Sequence, residues 1–314
     1  MKIIVVDTIH SALYQLLGDN DFNCIDASYM DDTQVYNSLF DADGLVLRSR
    51  MTLDRQFIDK YPKLKFIGRV GAGLEHIDVD YATEKGIRVL SSPEGNRQAV
   101  AEHALGSLLT LFNRIHIANA EVRRGQWIRK ANEGIELQGK TIGIIGFGNT
   151  GEAFSMVASG FQTRILAFDK YKSGFGNANV NEVSMHELFE HADIVSLHLP
   201  CNQETHYLVN EHWLSSFQKP IYIINTSRGS IVDTSALLEA IDSGKVLGAC
   251  LDVLEYETEN LKMPQIDSLP DSARKLMMND KVLLTPHLAG LTREAYEKLS
   301  SILAQKIIDA FGPA

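Results

Sequence analysis

The chain has 314 residues, of which 45% are hydrophobic and 22% are charged, a composition typical of a globular protein with two domains. Its formal net charge of -10 at pH 7 argues against a nucleic-acid or anionic-membrane partner. The same charge would repel a small anionic substrate, so an enzyme that acts on one needs arginine or lysine in its cleft.

The N-terminus and the cysteines indicate a cytoplasmic protein. The apolar run in MKIIVVD is too short for a signal peptide, and no stretch approaches the length of a membrane span. The cysteines (Cys24, Cys201 and Cys250) are widely spaced and odd in number, which favours a reducing compartment without a zinc site. No histidine pair has ligand spacing supported by acids, so we expect no bound metal.

Short apolar runs rich in β-branched residues alternate with helical patterns from the N-terminus onward. This alternation predicts an α/β protein with parallel sheets built of βαβ units. Between about residues 99 and 124 we expect one long helix, apolar on every face and therefore buried in a domain or subunit interface. The predicted strands of the first third span residues 3–7, 44–49, 65–70 and 88–92.

A second series of βαβ units begins in mid-chain at TIGIIG, which leaves residues 1 to about 98 as a separate domain. Six strands in this rhythm fit a doubly wound sheet. Residues 258–280 are expected to form a loop with a short helix, and 292–311 form an amphipathic helix that could close either domain. The six predicted strands span residues 141–146, 165–169, 194–199, 221–226, 250–253 and 282–287.

The glycine-rich segment GFGNTG follows the first strand of this second series and opens a helical pattern. Gly146 allows a tight turn, Gly148 lets the backbone approach a pyrophosphate, and Gly151 lets the helix pack closely on the strand. The helix N-terminus favours the phosphate charge. We therefore predict an NAD site here, with Asn149 and Thr150 completing the loop.

Asp169 ends the next predicted strand, 18 residues after Gly151. A carboxylate at this place hydrogen-bonds the adenosine ribose hydroxyls and repels a 2′-phosphate, which predicts NAD rather than NADP. Lys170 beside it could soften this discrimination.

Five motifs together strongly resemble the D-isomer-specific 2-hydroxyacid dehydrogenase family. The resemblance covers about residues 44–300 and implies two doubly wound domains and a homodimer. It implies a flavodoxin-like substrate domain (1–98 plus 288–314) into which a Rossmann NAD-binding domain (99–287) is inserted. The motifs are GRVGAGLEHID, SPEGNRQAVAEHALG, NTSRGSIVD, GACLDVLEYE and LLTPHLAGLT.

The resemblance also implies roles for single residues. Carried over by motif, Arg228 of TSRG, Glu257 of DVLEYE and His287 of TPH take the catalytic roles. The family contacts the nicotinamide end of NAD at positions that correspond here to Thr226, Ser227 and Asp252.

The chemistry of the reaction supports the catalytic assignments independently. Interconverting a 2-oxo acid and a 2-hydroxy acid needs a hydride partner, a proton partner and an anchor for the carboxylate. His287 suits the proton step because histidine exchanges protons near neutral pH, and a paired Glu257 would fix its tautomer. Arg228 offers a planar fork for the carboxylate. Family spacing selects Glu257 over its neighbours Glu255 and Glu259.

The first domain supplies the positive charge that an anionic substrate requires. Arg48 and Ser49 end a predicted strand, and Arg69 precedes a glycine-rich turn. Carboxyl ends of strands are where α/β sheets bind ligands, and backbone N–H groups of such turns can bind a carboxylate. A small anionic 2-hydroxy or 2-oxo acid is therefore the expected partner. The turn consists of Gly71, Ala72 and Gly73.

Within the family, the LRSR turn and GRxGxG look most like the D-3-phosphoglycerate dehydrogenases, in which an arginine of the first turn helps hold the phosphate. The implied reaction interconverts 3-phosphoglycerate and 3-phosphohydroxypyruvate in serine biosynthesis. Because the chain ends soon after its last helix, we expect no C-terminal regulatory domain. The open alternatives are a glyoxylate or hydroxypyruvate reductase, a D-lactate-type dehydrogenase and, in another class, an NAD-sensing binding protein.

Overall fold

The computed structural model describes residues 1–258 and 263–312 and divides the chain into two compact units. The first unit comprises Met1–Arg97 together with the C-terminal segment from Leu291, and the second comprises Gln98–Gly290. The chain therefore leaves the first unit, forms the second and returns to the first. Which unit binds substrate and which binds cofactor stays a prediction.

Strands and helices alternate along Met1–Arg97. Three of the helices have an aspartate as N-cap: the side chains of Asp31, Asp54 and Asp78 each accept a backbone N–H of the first turn. The strands are β1 (Lys2–Val5), β2 (Asn23–Asp26), β3 (Gly44–Leu47), β4 (Phe66–Arg69) and β5 (Arg88–Ser91). The helices are α1 (Ser11–Gly18), α2 (Asp32–Leu39), α3 (Arg55–Lys60) and α4 (Val79–Glu84).

The strands of the first unit form one parallel sheet in the order β2-β1-β3-β4-β5. Parallel neighbours need a crossover connection, which the helices α1 to α4 supply. This strand order is that of the flavodoxin-like doubly wound fold, so the predicted architecture of the first domain is confirmed.

The second unit repeats the alternation on a larger scale. Its strands are β6 (Thr141–Ile145), β7 (Arg164–Phe168), β8 (Val180–Glu182), β9 (Ile194–Leu197), β10 (Ile221–Asn225), β11 (Val246–Leu251) and β12 (Val282–Leu284). Its helices are α5 (Arg97–Phe112), α6 (Ile115–Arg123), α7 (Asn149–Ser159), α8 (Met185–His191), α9 (Glu211–Ser215), α10 (Thr234–Asp242) and α11 (Asp271–Met277).

All strands of the second unit pair in parallel, in the order β12-β11-β10-β9-β6-β7-β8. Starting from β8, this is the Rossmann strand order with one further strand at the end. The order reverses between β6 and β9, and open α/β sheets bind ligands in the crevice beyond the carboxyl ends at such a reversal.

Both sheets carry a hydrophobic layer on each face, because successive residues of a strand point to opposite sides. Ile144 and Ile145 of β6 are buried in different clusters, as are Ile4 and Val5 of β1. A strand that is covered on both faces has apolar residues at successive positions, which is the continuous apolar pattern of this sequence.

The last helix, α12 (Arg293–Phe311), packs on the first unit. It begins at Thr292, whose hydroxyl accepts the Ala295 N–H, and it buries Leu303 and Ile307 in one cluster with the side chains of β1. The amphipathic pattern alone left its domain open, because that pattern fixes which face is buried but not the surface that covers it.

The predicted long helix is wrong in one respect. Arg114 adopts a left-handed backbone conformation with φ +51° and separates α5 from α6. The residues of α5 are buried at seven positions, whereas no residue of α6 is buried, and Ile115 and Val122 are about half exposed. The apolar composition of α6 therefore marks a surface rather than a core.

Two strands escaped prediction because both lie at sheet edges. β2 has a half-exposed polar sequence, and β8 has three residues of which two are exposed. The expected short helix between 258 and 280 is α11, and residues 259–262 lie outside the described part of the chain. Over the described residues, no helix is both long and apolar enough to cross a membrane.

Candidate active site

The residues predicted to bind cofactor and to carry the chemistry follow the carboxyl ends of neighbouring strands in the second unit. Because these strands are parallel, their carboxyl ends share one edge of the sheet. The corresponding positions are Gly146 after β6, Asp169 after β7, Thr226 to Arg228 after β10, Asp252 after β11 and His287 after β12.

The glycine loop after β6 depends on glycine at two positions. Gly146 has φ +90°, and a Cβ there would lie 2.2 Å from the carbonyl oxygen of His198. A Cβ on Gly151 would lie 2.1 Å from the carbonyl oxygen of Gly146. Any side chain at either position would push the loop away from β9 or from α7.

Gly148 differs from both, because a Cβ there would meet no protein atom within 4 Å. It precedes α7 and makes no side-chain cap, so the first N–H groups of this 11-residue helix have no side-chain acceptor at the N-cap. Open space beside N–H groups at a helix N-terminus suits a pyrophosphate. The loop therefore fits the phosphate part of NAD.

His198 supports the loop from behind. Its Nδ1 lies 3.1 Å from the hydroxyl oxygen of Thr150, and its Nε2 lies 2.9 Å from that of Ser196. Burial lowers the pKa of His198 to about 3, so the imidazole is neutral, with one ring nitrogen donating and the other accepting. The Thr150 hydroxyl thus faces the protein interior.

The Asp169 carboxylate organises the loops around it. One oxygen accepts the Phe147 N–H at 2.8 Å, and the other accepts the N–H groups of Tyr171 and Lys172 at 2.9 and 3.0 Å. A carboxylate has about four acceptor positions, so one remains for a ribose hydroxyl. The neighbouring Lys170 ammonium pairs with Glu204 at 2.8 Å, which compensates its charge.

Thr226 and Ser227 differ in how their hydroxyls are used. Ser227 Oγ donates to the Leu197 carbonyl at 2.6 Å and accepts the Leu199 N–H at 3.1 Å, which ties β10 to β9. The Thr226 hydroxyl is buried and has no hydrogen-bond partner among the described residues. A buried polar atom without a partner is costly, and a polar group of a bound ligand, such as a carboxamide, would satisfy it.

Arg228 follows directly. Its guanidinium donates to the Ser227 carbonyl at 2.7 Å, and its own carbonyl accepts from the Asn225 amide at 2.9 Å. A Cβ on the next residue, Gly229, would lie 1.9 Å from the Leu254 carbonyl carbon, so the chain after β10 lies directly against the chain after β11. This contact brings the Arg228 and Glu257 segments together.

Glu257 pairs with His287 through a hydrogen bond of 2.7 Å between Oε2 and Nδ1, and both side chains are about one-fifth exposed. The other Glu257 oxygen accepts the Leu254 N–H at 2.6 Å. Glu255 is occupied elsewhere, since its carboxylate accepts the Thr234 N–H at 2.9 Å. Glu259 lies outside the described residues.

His287 has φ +52°, a conformation that costs a non-glycine residue about 1–3 kcal/mol. The turn is held by Asp252, whose carbonyl accepts the His287 N–H at 2.7 Å. The Asp252 carboxylate, 2% exposed, accepts the N–H groups of Leu288 and Ala289 and the Thr285 hydroxyl. Asp252 therefore fixes the segment that carries His287.

In the first unit, the turn after β3 is organised by an aspartate that the sequence reasoning missed. One Asp7 oxygen accepts the N–H groups of Arg48, Ser49 and Arg50 at 2.6, 3.2 and 3.3 Å. Asp7 follows β1, which pairs with β3. Its position as an acid at the end of a predicted strand is the feature of the sequence that could have identified it.

The two arginines of the LRSR turn have different surroundings. Arg50 donates to the carbonyls of Val6, Ala27 and Met30 and pairs with an aspartate, so it holds loops together. Arg48 is half-buried, with its guanidinium carbon 5.4 Å from the centre of the Tyr296 ring. A stacked guanidinium keeps its N–H edge available to an anion.

The glycine-rich turn after β4 encloses Arg69. Gly71 has φ +150°, a conformation that side chains rarely adopt, and a Cβ there would lie 1.3 Å from Arg69 Nη1 and would displace this guanidinium. The Gly71 N–H is already used within the protein, because it donates to the buried Ser92 hydroxyl at 3.2 Å. Ala72 and Gly73 remain as candidate donors.

Sequence reasoning treated His103 and His198 as unremarkable, although His198 contacts Thr150 and His103 Nε2 lies 3.6 Å from an Asp252 oxygen. The sequence offered a signal for His198, because it directly follows β9, the strand that pairs with the strand before the glycine loop. It offered no comparable signal for His103. Over residues 1–258 and 263–312, the structure contains no group of three or more His, Cys, Asp or Glu side chains suited to a metal ion.

Comparison with known proteins places this geometry in context. The family model described as "D-isomer specific 2-hydroxyacid dehydrogenase, NAD binding domain" matches residues 105–289. A hydroxypyruvate reductase of Thermotoga maritima is 34% identical over 311 residues, which cover 99% of this chain and 98% of the relative.

Two further similar proteins are named for other substrates. A D-3-phosphoglycerate dehydrogenase of Methanocaldococcus jannaschii is 34% identical over 98% of this chain, which spans only 57% of that relative. The crystal structure of a D-lactate dehydrogenase from Aquifex aeolicus, complexed with NAD and lactic acid, superposes with a TM-score of 0.81 at 30% identity. The superposition covers 99% of this chain and 95% of the D-lactate dehydrogenase chain.

The open space at Gly148 generates a test of the cofactor loop. We expect Gly148→Ala to leave the thermal unfolding midpoint unchanged, because the added methyl meets no protein atom. The same methyl would occupy the space for the pyrophosphate, so the Kd for NADH should rise about tenfold or more. Gly18→Ala, which also adds a methyl in open space, is the control for both measurements. Unchanged NADH binding in Gly148→Ala would show that the phosphates lie elsewhere.

Proposed function

The chain belongs to the D-isomer-specific 2-hydroxyacid dehydrogenases, a family of NAD-dependent oxidoreductases, and from this premise we propose that it interconverts 3-phosphoglycerate and 3-phosphohydroxypyruvate in serine biosynthesis. The reaction type is supported by the Glu257–His287 pair, which lies at the edge of the sheet that bears the glycine loop. Hydride transfer is the chemistry that bound NAD supplies.

His287 is the proposed acid and base. Glu257 occupies Nδ1, which leaves Nε2 as the ring nitrogen that can serve the substrate. In the reductive direction Nε2 gives its proton to the carbonyl oxygen of the 2-oxo acid as the hydride reaches the carbon. In the oxidative direction it takes the proton of the hydroxyl. The Glu257 carboxylate stabilises the imidazolium in either case.

Arg228 is the proposed anchor of the substrate carboxylate. A guanidinium binds a carboxylate through two parallel N–H donors and thereby orients the adjacent carbonyl. It also polarises that carbonyl toward the negative charge that develops as hydride arrives. Its backbone is fixed by the Asn225 amide and by the close contact of Gly229 with the segment after β11.

Arg48 is the proposed phosphate ligand, and Ser49, Arg69 and the turn from Gly71 to Gly73 are proposed to complete the substrate site. Support for Arg48 comes from its half-buried stacking on Tyr296 and from the Asp7 carboxylate that fixes its backbone. A net charge of -10 makes such local cations necessary for a substrate with several negative charges.

Hydroxypyruvate is the second candidate substrate, favoured by one observation. The relative from Thermotoga maritima, named a hydroxypyruvate reductase, is matched over 98% of its length, whereas the phosphoglycerate dehydrogenase is matched over 57%. Hydroxypyruvate carries a hydroxyl where phosphohydroxypyruvate carries a phosphate, so the two candidate substrates share the proposed catalytic residues and differ in whether Arg48 and its neighbours bind a phosphate.

We also propose that the protein forms a homodimer through the segment that follows α5. Large apolar side chains are exposed there in close succession, including Ile115, Val122, Trp127 and Ile128, and Trp127 is 80% exposed. Both ring nitrogens of His116, on the same helix, are buried without a partner among the described residues. An exposed apolar surface of this kind is typical of a subunit interface.

The reaction is tested with purified protein, NADH and four acids: phosphohydroxypyruvate, hydroxypyruvate, glyoxylate and pyruvate. We expect the highest kcat/KM with phosphohydroxypyruvate, and a loss of about 10²- to 10⁴-fold in His287→Gln because the proton partner is removed. A higher value with an unphosphorylated acid would replace the substrate and keep the chemistry. NADH binding without oxidation of NADH by any of these acids would favour the sensor alternative.

The role of Arg48 is tested by Arg48→Met, which retains the stacked hydrocarbon and removes the charge. We expect kcat/KM to fall about tenfold to a hundredfold for phosphohydroxypyruvate, because a charged hydrogen bond to the phosphate is lost. For hydroxypyruvate the value should change by no more than about threefold. Lys298→Met on the exposed face of α12 is the charge-matched control. Equal losses for both acids would remove Arg48 from phosphate recognition.

Sedimentation velocity at micromolar concentration tests the dimer. The unmodified protein should sediment as a dimer, and Trp127→Glu as a monomer, because an unpaired carboxylate in an apolar interface is costly. Tyr29→Glu changes a similarly exposed aromatic side chain of the first unit and should remain dimeric. A monomer in the unmodified protein would contradict the proposal.

A further inference from the structure

His103 and Thr285 form a hydrogen-bonded chain that ends on the carboxylate beneath the His287 turn. His103 Nε2 lies 3.1 Å from Thr285 Oγ1, and Thr285 Oγ1 lies 2.6 Å from Asp252 Oδ1. His103 Nε2 is 3.6 Å from the same Asp252 oxygen, too far for a direct hydrogen bond. The Thr285 hydroxyl therefore connects the histidine to the carboxylate.

The direction of each hydrogen bond follows from the protons that are available. An ionised carboxylate only accepts, so the single hydroxyl proton of Thr285 is donated to Asp252. The Thr285 oxygen is then an acceptor, and His103 must carry a proton on Nε2. The chain thus runs His103 to Thr285 to Asp252, with no alternative orientation while Asp252 is ionised.

The far end of the chain controls the backbone around His287. The two Asp252 oxygens accept the N–H groups of Leu288 and Ala289 at 2.9 and 2.8 Å, directly after the histidine. Thr285 lies two residues before it and is bound to the same carboxylate. His287 is thereby held on both sides in its left-handed conformation, which an unsupported turn would not retain.

We propose that His103 and Thr285 are positioning residues for the reaction, which hold the Asp252 carboxylate and through it the orientation of His287. The inference rests on the proposed acid and base role of His287. Neither residue needs to touch the substrate, because each acts through the turn. A displacement of the imidazole by a fraction of an ångström is sufficient to slow proton transfer.

The experiment compares paired variants of the full-length protein. Thr285→Val keeps the shape and removes the hydroxyl, whereas Thr285→Ser keeps the hydroxyl. His103→Leu removes the donor, whereas His103→Gln retains an N–H that can reach Thr285. We expect kcat to fall about tenfold in Thr285→Val and in His103→Leu, with recovery to within about threefold in the Ser and Gln variants.

Two further measurements separate positioning from a general loss of structure. The Kd for NADH should change less than kcat, because the glycine loop after β6 is untouched, so that the defect is larger in kcat than in KM for NADH. The double variant Thr285→Val/His103→Leu should be no slower than the slower single variant, because both interrupt one chain. Additive losses would mean that the two residues act separately and would overturn the proposal.

Hydrogen exchange gives a readout that does not depend on catalysis. The N–H groups of Leu288 and Ala289 are protected by Asp252, so a peptide that covers residues 285–290 should exchange faster in Thr285→Val and not in Thr285→Ser. Unchanged exchange would overturn the proposal, as would faster exchange with unchanged kcat. Activity retained in His287→Gln would refute the acid and base role instead.

Discussion

Parallel strand pairing is the constraint on which both units depend. In a parallel sheet every strand ends at the same edge, so the residues that follow successive strands meet although they are distant in sequence. In the second unit, this brings the glycine loop after β6 to the same edge as Arg228 after β10 and His287 after β12. In the first unit, it brings Arg48 after β3 beside the Arg69 turn that ends β4.

The same device stabilises the loops at these edges three times. Asp7, Asp169 and Asp252 each follow a strand, and each carboxylate accepts two or three backbone N–H groups of its own or a neighbouring turn. Charge-assisted hydrogen bonds of this kind contribute about 1.5–3 kcal/mol each. They let irregular loops hold a fixed shape close to solvent, which a binding site requires.

Because each of these loops is fixed by its own aspartate, the residues proposed for the reaction can be distinguished from the residue proposed for substrate choice. Glu257, His287 and the Asp252 turn lie in the second unit, and the hydrogen bonds described above for them join residues of that unit. The candidate substrate residue Arg48 lies in the first unit, on a turn held by Asp7. Relatives named for hydroxypyruvate, phosphoglycerate and lactate are consistent with one chemistry serving different acids.

Several features were within reach of the sequence because they are local. The continuous apolar runs predict strands buried on both faces, and GFGNTG predicts a phosphate loop because the motif stands between a strand and a helix. The close contact of Gly151 with the Gly146 carbonyl is local in this sense, whereas that of Gly146 with the His198 carbonyl is not. The motif spacing also selected Glu257 over Glu255, and the structure brings Glu257 to His287. The break at Arg114 and the edge strand β2 were missed, since apolar periodicity carries no signal for either.

The tertiary structure alone decided what joins distant segments. That Asp252 holds the His287 turn, that His103 reaches Thr285 and that Asp7 binds the Arg48 turn depends on pairs 33 to 182 residues apart. A single sequence contains no register between such segments, because the sheet order that juxtaposes them is fixed only when the strands pair. The sequence by itself determined the family, the two α/β domains and the chemical groups. The structure determined which of those groups hold loops in place and which of them pair with one another, because hydrogen-bond partners are set by packing.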